Sequence, residues 1–296
     1  MEFHQLRYFL AVADTASFTR AAARCSVAQP SLSQQIKKLE QQVGAPLFDR
    51  RNRVVTLTEI GRALLPRARR IIAEVTDAHD RLAQDMVNGT GPLRVGVIPT
   101  IGPFMLPTVM RRFLKQYPEC ELSVEEDLTE RLLQRISEHQ LDFAVTSTPV
   151  SLKGAAVEVI GTEPLLVAAP PDFHWPRGKP FSLAQLRQQP IVMVTEAHCL
   201  GRQIQEFCTR SAVGLRVVCG TAQIDTLQRL VAGGLGFSLV PAMAARADTH
   251  RTCRYLAIDE PALTREIAVV WPLNRQHSFL ATEFLRLVRK IVPVRG

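Results

Sequence analysis

The segment at 29–40, QPSLSQQIKKLE, constrains the fold of this chain more than any other feature. Pro30 suits the first position of a helix, where its missing N–H group costs no hydrogen bond. Three apolar side chains recur at helical spacing and define one face of this helix: Leu32, Ile36 and Leu39. Gly44 follows as a residue suited to a C-terminal cap. The segment therefore predicts a short amphipathic helix whose remaining surface is rich in hydroxyl, amide and ammonium groups.

Two shorter helices are predicted before this segment. Their apolar faces consist of two sets of side chains: Leu6, Phe9, Leu10 and Ala13, then Phe18, Ala21, Ala22 and Cys25. A four-residue turn at 26–29 joins the second helix to the third, which is typical of a helix-turn-helix. The two short apolar runs that flank Arg51 and Asn52 then predict a β-hairpin with a basic tip, which would form a wing beside the helices.

Positive charge is concentrated in the same part of the chain. Residues 1–70 contain twelve lysines and arginines against five acidic residues, which accounts for +7 of the total charge of +8. A basic segment attached to a nearly neutral body indicates a polyanionic partner for that segment alone. We therefore expect it to bind double-stranded DNA. The alternative is a solvated basic face on an ordinary helical domain.

The DNA contacts can be assigned by side-chain type. Hydroxyl and amide groups suit base edges, whereas ammonium and guanidinium groups suit phosphates. We expect base contacts from Ser31, Ser33 and Gln34, and phosphate contacts from Lys37, Arg50 and Arg53.

The bulk composition limits the remaining possibilities. A chain of 296 residues exceeds what one core usually supports, so more than one domain is expected. No apolar run approaches the ~20 residues of a membrane span, and no secretory signal is recognisable, which predicts a cytoplasmic protein without a membrane partner. The six cysteines have neither the density of a disulfide framework nor zinc-binding spacing, so we expect no metal and no other cofactor.

Segment 59–87 predicts one long helix after the hairpin. Its apolar side chains recur alternately four and three residues apart: Leu64, Ala68, Ile71, Val75, Ala78 and Leu82. This spacing is typical of a coiled-coil seam and predicts dimerisation, although a helix packed on its own chain is the alternative. Pro66 should bend the helix or remove one hydrogen bond, and the run at 88–92 should end it as a linker.

Strand and helix patterns alternate from residue 93 onward. We predict strands at 93–98, 121–124, 143–146, 165–169, 191–194, 215–219, 237–240 and 267–271, and helices at 103–116, 129–139, 200–211 and 278–291. This alternation predicts an α/β fold with a parallel sheet. Ligands of such sheets bind beyond the carboxyl ends of strands, where Pro99 and Thr100 lie.

The whole chain resembles the LysR-type transcriptional regulators. The resemblance is carried by segments 9–13, 17–22, 28–33, 47–50 and 56–58, with Ile36, Leu39, Glu40 and Gly44 between them. It implies the fold class α/β, with a mostly α winged helix-turn-helix and linker helix before a two-lobed α/β effector domain of the periplasmic-binding-protein type. It also implies homodimers that pair into homotetramers on DNA, and RNA polymerase is a further expected partner.

Domain boundaries follow from the same resemblance. The winged helix-turn-helix would occupy 1–58, the linker helix 59–87, and the effector domain 92–296. Within the effector domain, lobe I would comprise 92–161 and 267–296, and lobe II would comprise 162–266.

Three segments are similar to the hydrogen-peroxide sensors of that family: 95–103, 126–129 and 198–208. The resemblance implies that peroxide oxidises Cys199 and that Cys208 then forms a disulfide with it. It implies further that Thr100, Thr129 and His198 place the peroxide. The chain departs from the pattern at 201–202, where Gly-Arg replaces the usual Arg-Asp.

Physical reasoning adds to this pairing. Cys199 lies near the start of a predicted helix, whose dipole favours a thiolate, and His198 and Arg202 would assist if they face the sulfur. Nine residues along a helix span about 13–14 Å, whereas a disulfide requires Cα atoms about 4.4–6.8 Å apart. The disulfide therefore cannot form while the helix is intact, which predicts a two-state switch. Cytoplasmic thiol reductants would reset it.

Other interpretations are open at this stage. Free cysteines are often small buried hydrophobes, and we interpret Cys25, Cys120, Cys219 and Cys253 in that way. A second hypothesis retains DNA binding but replaces peroxide with a small anionic organic effector in the interlobe cleft, bound by Thr100 and Thr129. A third is a thiol peroxidase, which would turn over peroxide continuously. We adopt the regulator, which is not an enzyme.

Overall fold

The computed structural model describes residues 1–49, 55–86, 89–176, 178–259 and 263–292, and of residues 77–86 only the backbone. The chain divides into two compact units, 1–86 with 138–140, and 87–137 with 141–296. Across these described ranges, no helix combines the length and the apolar character that crossing a membrane requires.

The first unit is mostly helical. Its helices are α1 (Phe3–Thr15), α2 (Phe18–Arg24), α3 (Gln29–Val43) and α4 (Glu59–Met86). The strands β1 (Phe48–Asp49) and β2 (Thr56–Leu57) pair antiparallel. The helix-turn-helix and the paired strands of the hairpin are thereby confirmed, whereas the hairpin tip lies outside the described residues.

Local sequence explains the helix boundaries of this unit. Ser17 caps α2 by accepting a hydrogen bond from the backbone N–H of Arg20. Gly44 ends α3 with a φ of 79°, a conformation that glycine adopts without a Cβ clash. The apolar faces of the three helices meet in one core, where Phe9 and Leu32 are fully buried.

Helix α4 continues through Pro66 to Met86. Leu64 and Ala68 of the predicted seam pack in the core of this unit, whereas Ile71 and Val75 are exposed. The side chains of Ala78 and Leu82 lie outside the described residues. The first part of the seam therefore packs on its own chain, and the dimer contact along the helix is still a prediction.

The second unit is built on a seven-stranded mixed sheet and a smaller parallel pair. The large sheet contains β3 (Gly91–Val97), β4 (Cys120–Glu126), β5 (Phe143–Ser147), β6 (Ala155–Ala169), β9 (Ser238–Pro241), β10 (Arg254–Leu256) and β11 (Thr264–Pro272). The pair consists of β7 (Pro190–Val194) and β8 (Arg216–Thr221). The helices are α5 (Gly102–Gln116), α6 (Thr129–Ser137), α7 (Cys199–Arg210), α8 (Ile224–Ala232), α9 (Ala242–Ala247) and α10 (Phe279–Ile291), with a 3-10 helix at Leu183–Gln188.

The prediction of a parallel sheet is correct only in part. Strand β3 is parallel to β4 and β5, and β7 is parallel to β8. Strands β9, β10 and β11 instead pair antiparallel with β6. The sequence prediction also placed the start of β6 ten residues late, because the first half of this strand exposes apolar side chains such as Val157 and Val159.

Two hydrophobic cores define the lobes of this unit. We call lobe I the part packed around Val95, Phe143 and Phe284, and lobe II the part packed around Val167 and Leu227. Strand β6 contributes to both cores. A site that lies between the lobes can therefore be disturbed by any element that moves one core against the other.

Candidate functional site

Helix α7 begins at the predicted redox cysteine and contacts both lobes. His198 is its N-cap, and Cys199 is its first residue. Cys199 is a buried free thiol in the lobe I core, whereas Leu200, Ile204 and Cys208 pack in the lobe II core. The two candidate cysteines thus lie on one intact helix but in different cores.

The predicted peroxide-placing residues are all buried after the carboxyl ends of strands. Thr100 follows β3, Thr129 begins α6 after β4, and His198 follows β7. Because Val97 pairs with Glu126 in the parallel register of β3 and β4, Thr100 and Thr129 both lie three residues beyond paired positions. The fold therefore places both hydroxyl groups at one edge of the sheet.

A buried ion pair holds Thr100 in place. Arg265 on β11 and Glu163 on β6 have fully buried side chains, with Nη2 and Oε1 2.6 Å apart. The Arg265 guanidinium donates to the Thr100 hydroxyl oxygen and to the Thr100 carbonyl, each at 2.9 Å. Glu163 also accepts from the backbone N–H of Met243, at 2.9 Å. Since the Thr100 hydroxyl accepts from Arg265, its own proton is free to be donated to a ligand.

The Thr129 hydroxyl oxygen is also suited to a ligand. It is buried, and it has no hydrogen-bond partner within the described part of the chain. Buried hydroxyl groups are rarely left unpaired, and an unpaired one requires an explanation. The unpaired hydroxyl group makes Thr129 a candidate to contact a small polar ligand.

Sequence reasoning did not find Arg265 or Glu163. They are about one hundred residues apart, so no local spacing links them. The alternation of exposed and buried positions along β11 gave a signal for the buried pair, because Arg265 shares the buried face of the strand with Ile267. A charged residue at an inward position of an apolar strand indicates a buried partner.

Electrostatics around α7 differ from the sequence expectation. Burial lowers the pKa of His198 from 6.5, so the ring is neutral at pH 7 and adds no positive charge. Arg202 forms an ion pair with Glu130, with Nη1 and Oε1 3.2 Å apart. His198 therefore brings no positive charge to the start of α7, and the charge of Arg202 is paired with that of Glu130, so help from these side chains to a Cys199 thiolate is still only a prediction. Burial raises the pKa of the Cys208 thiol, which keeps that group protonated.

Gly201 explains one half of the departure at 201–202. A Cβ at this position would lie 2.6 Å from the carbonyl oxygens of both Val194 and Thr195. Helix α7 therefore approaches the end of β7 so closely that only glycine fits without a shift. A larger side chain would not fit this packing.

We expect Gly201→Ala to destabilise the protein by about 1–3 kcal/mol, because backbone atoms must move to admit the methyl group. Urea unfolding of the reduced protein measures this change. Gly214→Ala is the matched control, since a Cβ there meets nothing within 4 Å. An equal effect of the two substitutions would contradict the packing argument.

The DNA-binding candidates are presented by α3 in the first unit. Ser31, Gln34 and Lys37 are exposed and Ser33 is half-buried. The opposite face, with Leu32, is fully buried in the core. Arg50 and Arg53 lie outside the described residues. The exposed face of α3 thus has the groups that base edges and phosphates require.

A cavity of about 680 Å³ lies between the lobes. Its walls include three carboxylates, from Glu126, Asp225 and Asp248, together with His250 and with Arg229, which is paired to Asp225 at 2.9 Å. The walls include neither of the two threonines expected to bind an organic effector. Within the described ranges, no group of His, Cys, Asp and Glu side chains is arranged to hold a metal ion.

Two family descriptions together match almost the whole chain. The bacterial regulatory helix-turn-helix protein, lysR family, matches residues 3–62. The LysR substrate binding domain matches residues 88–292.

Several curated relatives carry names that refer to peroxide. The hydrogen peroxide-inducible genes activator of Pectobacterium carotovorum subsp. carotovorum is 32% identical over 288 residues, which is 95% of each protein. The DNA-binding transcriptional dual regulator OxyR of Escherichia coli K12 is 32% identical over 287 residues, covering 95% of this chain and 94% of that protein.

Solved structures agree with this pattern. A full-length OxyR mutant from Pseudomonas aeruginosa superimposes with a TM-score of 0.79 at 26% identity, covering 98% of this chain and 94% of that one. A peroxide-bound OxyR mutant from Corynebacterium glutamicum superimposes with a TM-score of 0.64 at 27% identity, covering 98% and 92%.

Proposed function

The chain belongs to the LysR family of bacterial transcriptional regulators, and on this basis we propose that hydrogen peroxide switches it by oxidising Cys199 and linking it to Cys208. One observation carries the proposal. Cys199 is a buried free thiol at the first position of α7, and Cys208 lies nine positions along the same helix. The names of the peroxide-related proteins that are similar over almost the whole chain support it.

The first chemical step oxidises Cys199. Its thiolate attacks one peroxide oxygen, the O–O bond breaks, and the departing oxygen takes up a proton and leaves as water. The product is the sulfenic acid of Cys199. Thr100, held by Arg265, would donate to one peroxide oxygen, and Thr129 would contact the other. His198, which is neutral, would contribute a hydrogen bond and no charge.

The second step forms the disulfide. The Cys208 sulfur attacks the sulfenic sulfur, an S–S bond forms, and the hydroxyl group leaves as water with the thiol proton. In the reduced structure the two residues are nine positions apart on a helix, about 13–14 Å along its axis. Closure therefore requires α7 to unwind, which also exposes Cys208 and makes its thiol easier to ionise. The change in α7 would be the signal that reaches the oligomer on DNA.

The first unit would deliver this signal to DNA. We propose that it comprises a winged helix-turn-helix at 1–58 and a linker helix at 59–87, attached to an effector domain at 92–296. Base contacts would come from Ser31, Ser33 and Gln34, and dimer contacts from exposed apolar residues of α4 such as Ile71 and Val75. Two dimers would form the tetramer, and RNA polymerase would be contacted from the DNA-bound state.

The proposal is tested by DNA footprinting. DNA fragments are first selected from a random pool by the reduced full-length protein, and the footprint is then compared before and after one equivalent of peroxide. We expect the length of protected DNA to change, and a dithiol reductant to reverse the change. An identical footprint in both redox states would contradict the proposed function.

We expect Lys37→Ala to weaken binding to all DNA sequences and to reduce the slope of log K against log salt by about one, because one phosphate contact is lost. Binding titrations at several salt concentrations measure this slope. Lys290→Ala removes an exposed lysine of α10 in the other unit and serves as the control. If the Lys37→Ala slope equals that of the control, Lys37 does not contact a phosphate.

The effector hypothesis receives less support from the structure. The interlobe cavity has three carboxylates, which disfavours an anionic ligand.

The thiol peroxidase hypothesis requires that the Cys199 thiol is regenerated rapidly in every cycle. Cys208, which would resolve the sulfenic acid, is buried in the lobe II core and reaches Cys199 only after α7 unwinds, which disfavours rapid turnover. Continuous peroxide consumption in the presence of a dithiol would favour the enzyme over the regulator.

A further inference from the structure

Two polar side chains connect the first turns of α7 to lobe I. Arg202 contacts Glu130 of α6 at 3.2 Å. Gln203 donates through Nε2 to the Ser147 hydroxyl at 3.2 Å and also to the carbonyl of Thr148, both at the end of β5. The apolar side of the same helix is packed in lobe II. Helix α7 therefore bridges the lobes, and its helical state is what maintains the bridge.

We propose that Arg202 and Gln203 are positioning residues that hold α7 on lobe I. Their contacts with Glu130, Ser147 and Thr148, which we call the tie, set the rate at which the Cys199–Cys208 disulfide closes and the reduction potential of that disulfide. The proposal rests on the proposed function, because it concerns the disulfide of that switch. The reason is thermodynamic: contacts present only in the helical state must be lost before Cys208 reaches Cys199. Each such contact favours the reduced form by its own free energy.

The contacts that form the tie are individually weak. The ion pair is largely exposed, since 47% of the Arg202 side chain and 81% of the Glu130 side chain are accessible. Exposed ion pairs contribute little to stability. The Gln203 Oε1 atom is buried and has no partner among the described residues, so opening the helix would allow water to satisfy it. A switch element requires contacts of this kind, which shift the balance without locking one state.

The test uses Glu130→Gln in the full-length protein, because this substitution removes the ion pair and keeps the Arg202 side chain. Disulfide closure is followed by thiol alkylation after one equivalent of peroxide, and the reduction potential is measured in dithiothreitol buffers. We expect closure to be about two- to five-fold faster. The potential should become more negative by about 10–20 mV, which is the same factor in the equilibrium constant.

Two further variants separate positioning from other effects. Glu206→Gln makes the same charge change at an exposed position of α7 and should leave rate and potential unchanged. The exchange of charges, Glu130→Arg with Arg202→Glu, should restore the parent values. Sulfenic acid formation, measured in a Cys208→Ser background, should not change with Glu130→Gln, because the tie acts on the second step.

The possible failures are distinguishable. If Glu130→Gln closes at the parent rate and potential while the 199–208 disulfide forms normally, the positioning proposal is wrong and the proposed function stands. If no such disulfide forms in any variant, the proposed function fails. In that case, amide hydrogen exchange of the reduced protein tests the tie separately. If the tie holds α7 on lobe I, exchange across α7 is faster in Glu130→Gln than in Glu206→Gln.

Discussion

Replacing Cys199 with serine is expected to abolish every change that peroxide causes in the DNA footprint. Serine has no sulfur to oxidise at this position, so neither the sulfenic acid nor the disulfide forms. The reduced footprint should be retained, because Cys199 belongs to the second unit and α3 to the first. Footprinting with and without one equivalent of peroxide measures the effect.

Two other cysteine variants complete this experiment. Cys208→Ser should stop at the sulfenic acid, which a dimedone probe detects. Cys253→Ser is the matched control, because Cys253 is equally buried in lobe II and its thiol donates to the carbonyl of Gln228 at 3.1 Å, a bond that serine can also form. A footprint that still responds in Cys199→Ser, or a response lost in Cys253→Ser, would contradict the assignment of the sensing thiol.

Replacing Arg265 with methionine is expected to lower the free energy of unfolding by about 3–5 kcal/mol, because it leaves the Glu163 carboxylate buried without a charged partner. Urea unfolding of the reduced protein measures the loss. Arg286→Gln is the control, since it removes an exposed arginine from a pair with Glu283 on the same helix and should leave stability nearly unchanged. Similar losses in the two variants would show that the buried Arg265–Glu163 pair contributes no more to stability than the Arg286–Glu283 pair does.

A double variant separates stability from chemistry at this site. Arg265→Met with Glu163→Gln removes both charges, while the glutamine oxygen can still accept from the N–H of Met243. We expect stability to recover in large part. Oxidation of Cys199 should nevertheless be slower in this double variant than in the parent protein, because Thr100 has lost the donor that orients it. Recovery of the oxidation rate together with stability would assign Arg265 a purely structural role.

Local patterns predicted much of the fold. Helix periodicity and end signals located the helix-turn-helix, because Pro30, Gly44 and the apolar face of α3 act over a few residues. The start of α7 at Cys199 lay within one residue of the prediction. The antiparallel pairing of β11 with β6 could not be read in this way, because it joins segments about one hundred residues apart.

The site was predictable only where single segments determine it. Thr100 and Thr129 could be proposed as site residues because each follows a strand in a segment with a recognisable resemblance. The Arg265–Glu163 pair and the ties from Arg202 and Gln203 depend on tertiary contacts. The sequence showed that 201–202 departs from the pattern. It could not show that Gly201 packs against the carbonyl oxygens of β7 and its following loop.

Peptide mass mapping of the oxidised protein tests the central claim most directly. Trypsin cleaves after Arg187, Arg202 and Arg210, so Cys199 and Cys208 fall in separate peptides, 188–202 and 203–210. After one equivalent of peroxide and alkylation of the remaining thiols, we expect these two peptides to be joined by a disulfide that a dithiol cleaves. Recovery of Cys208 in alkylated form, with Cys199 unoxidised or bonded to another cysteine, would contradict the account.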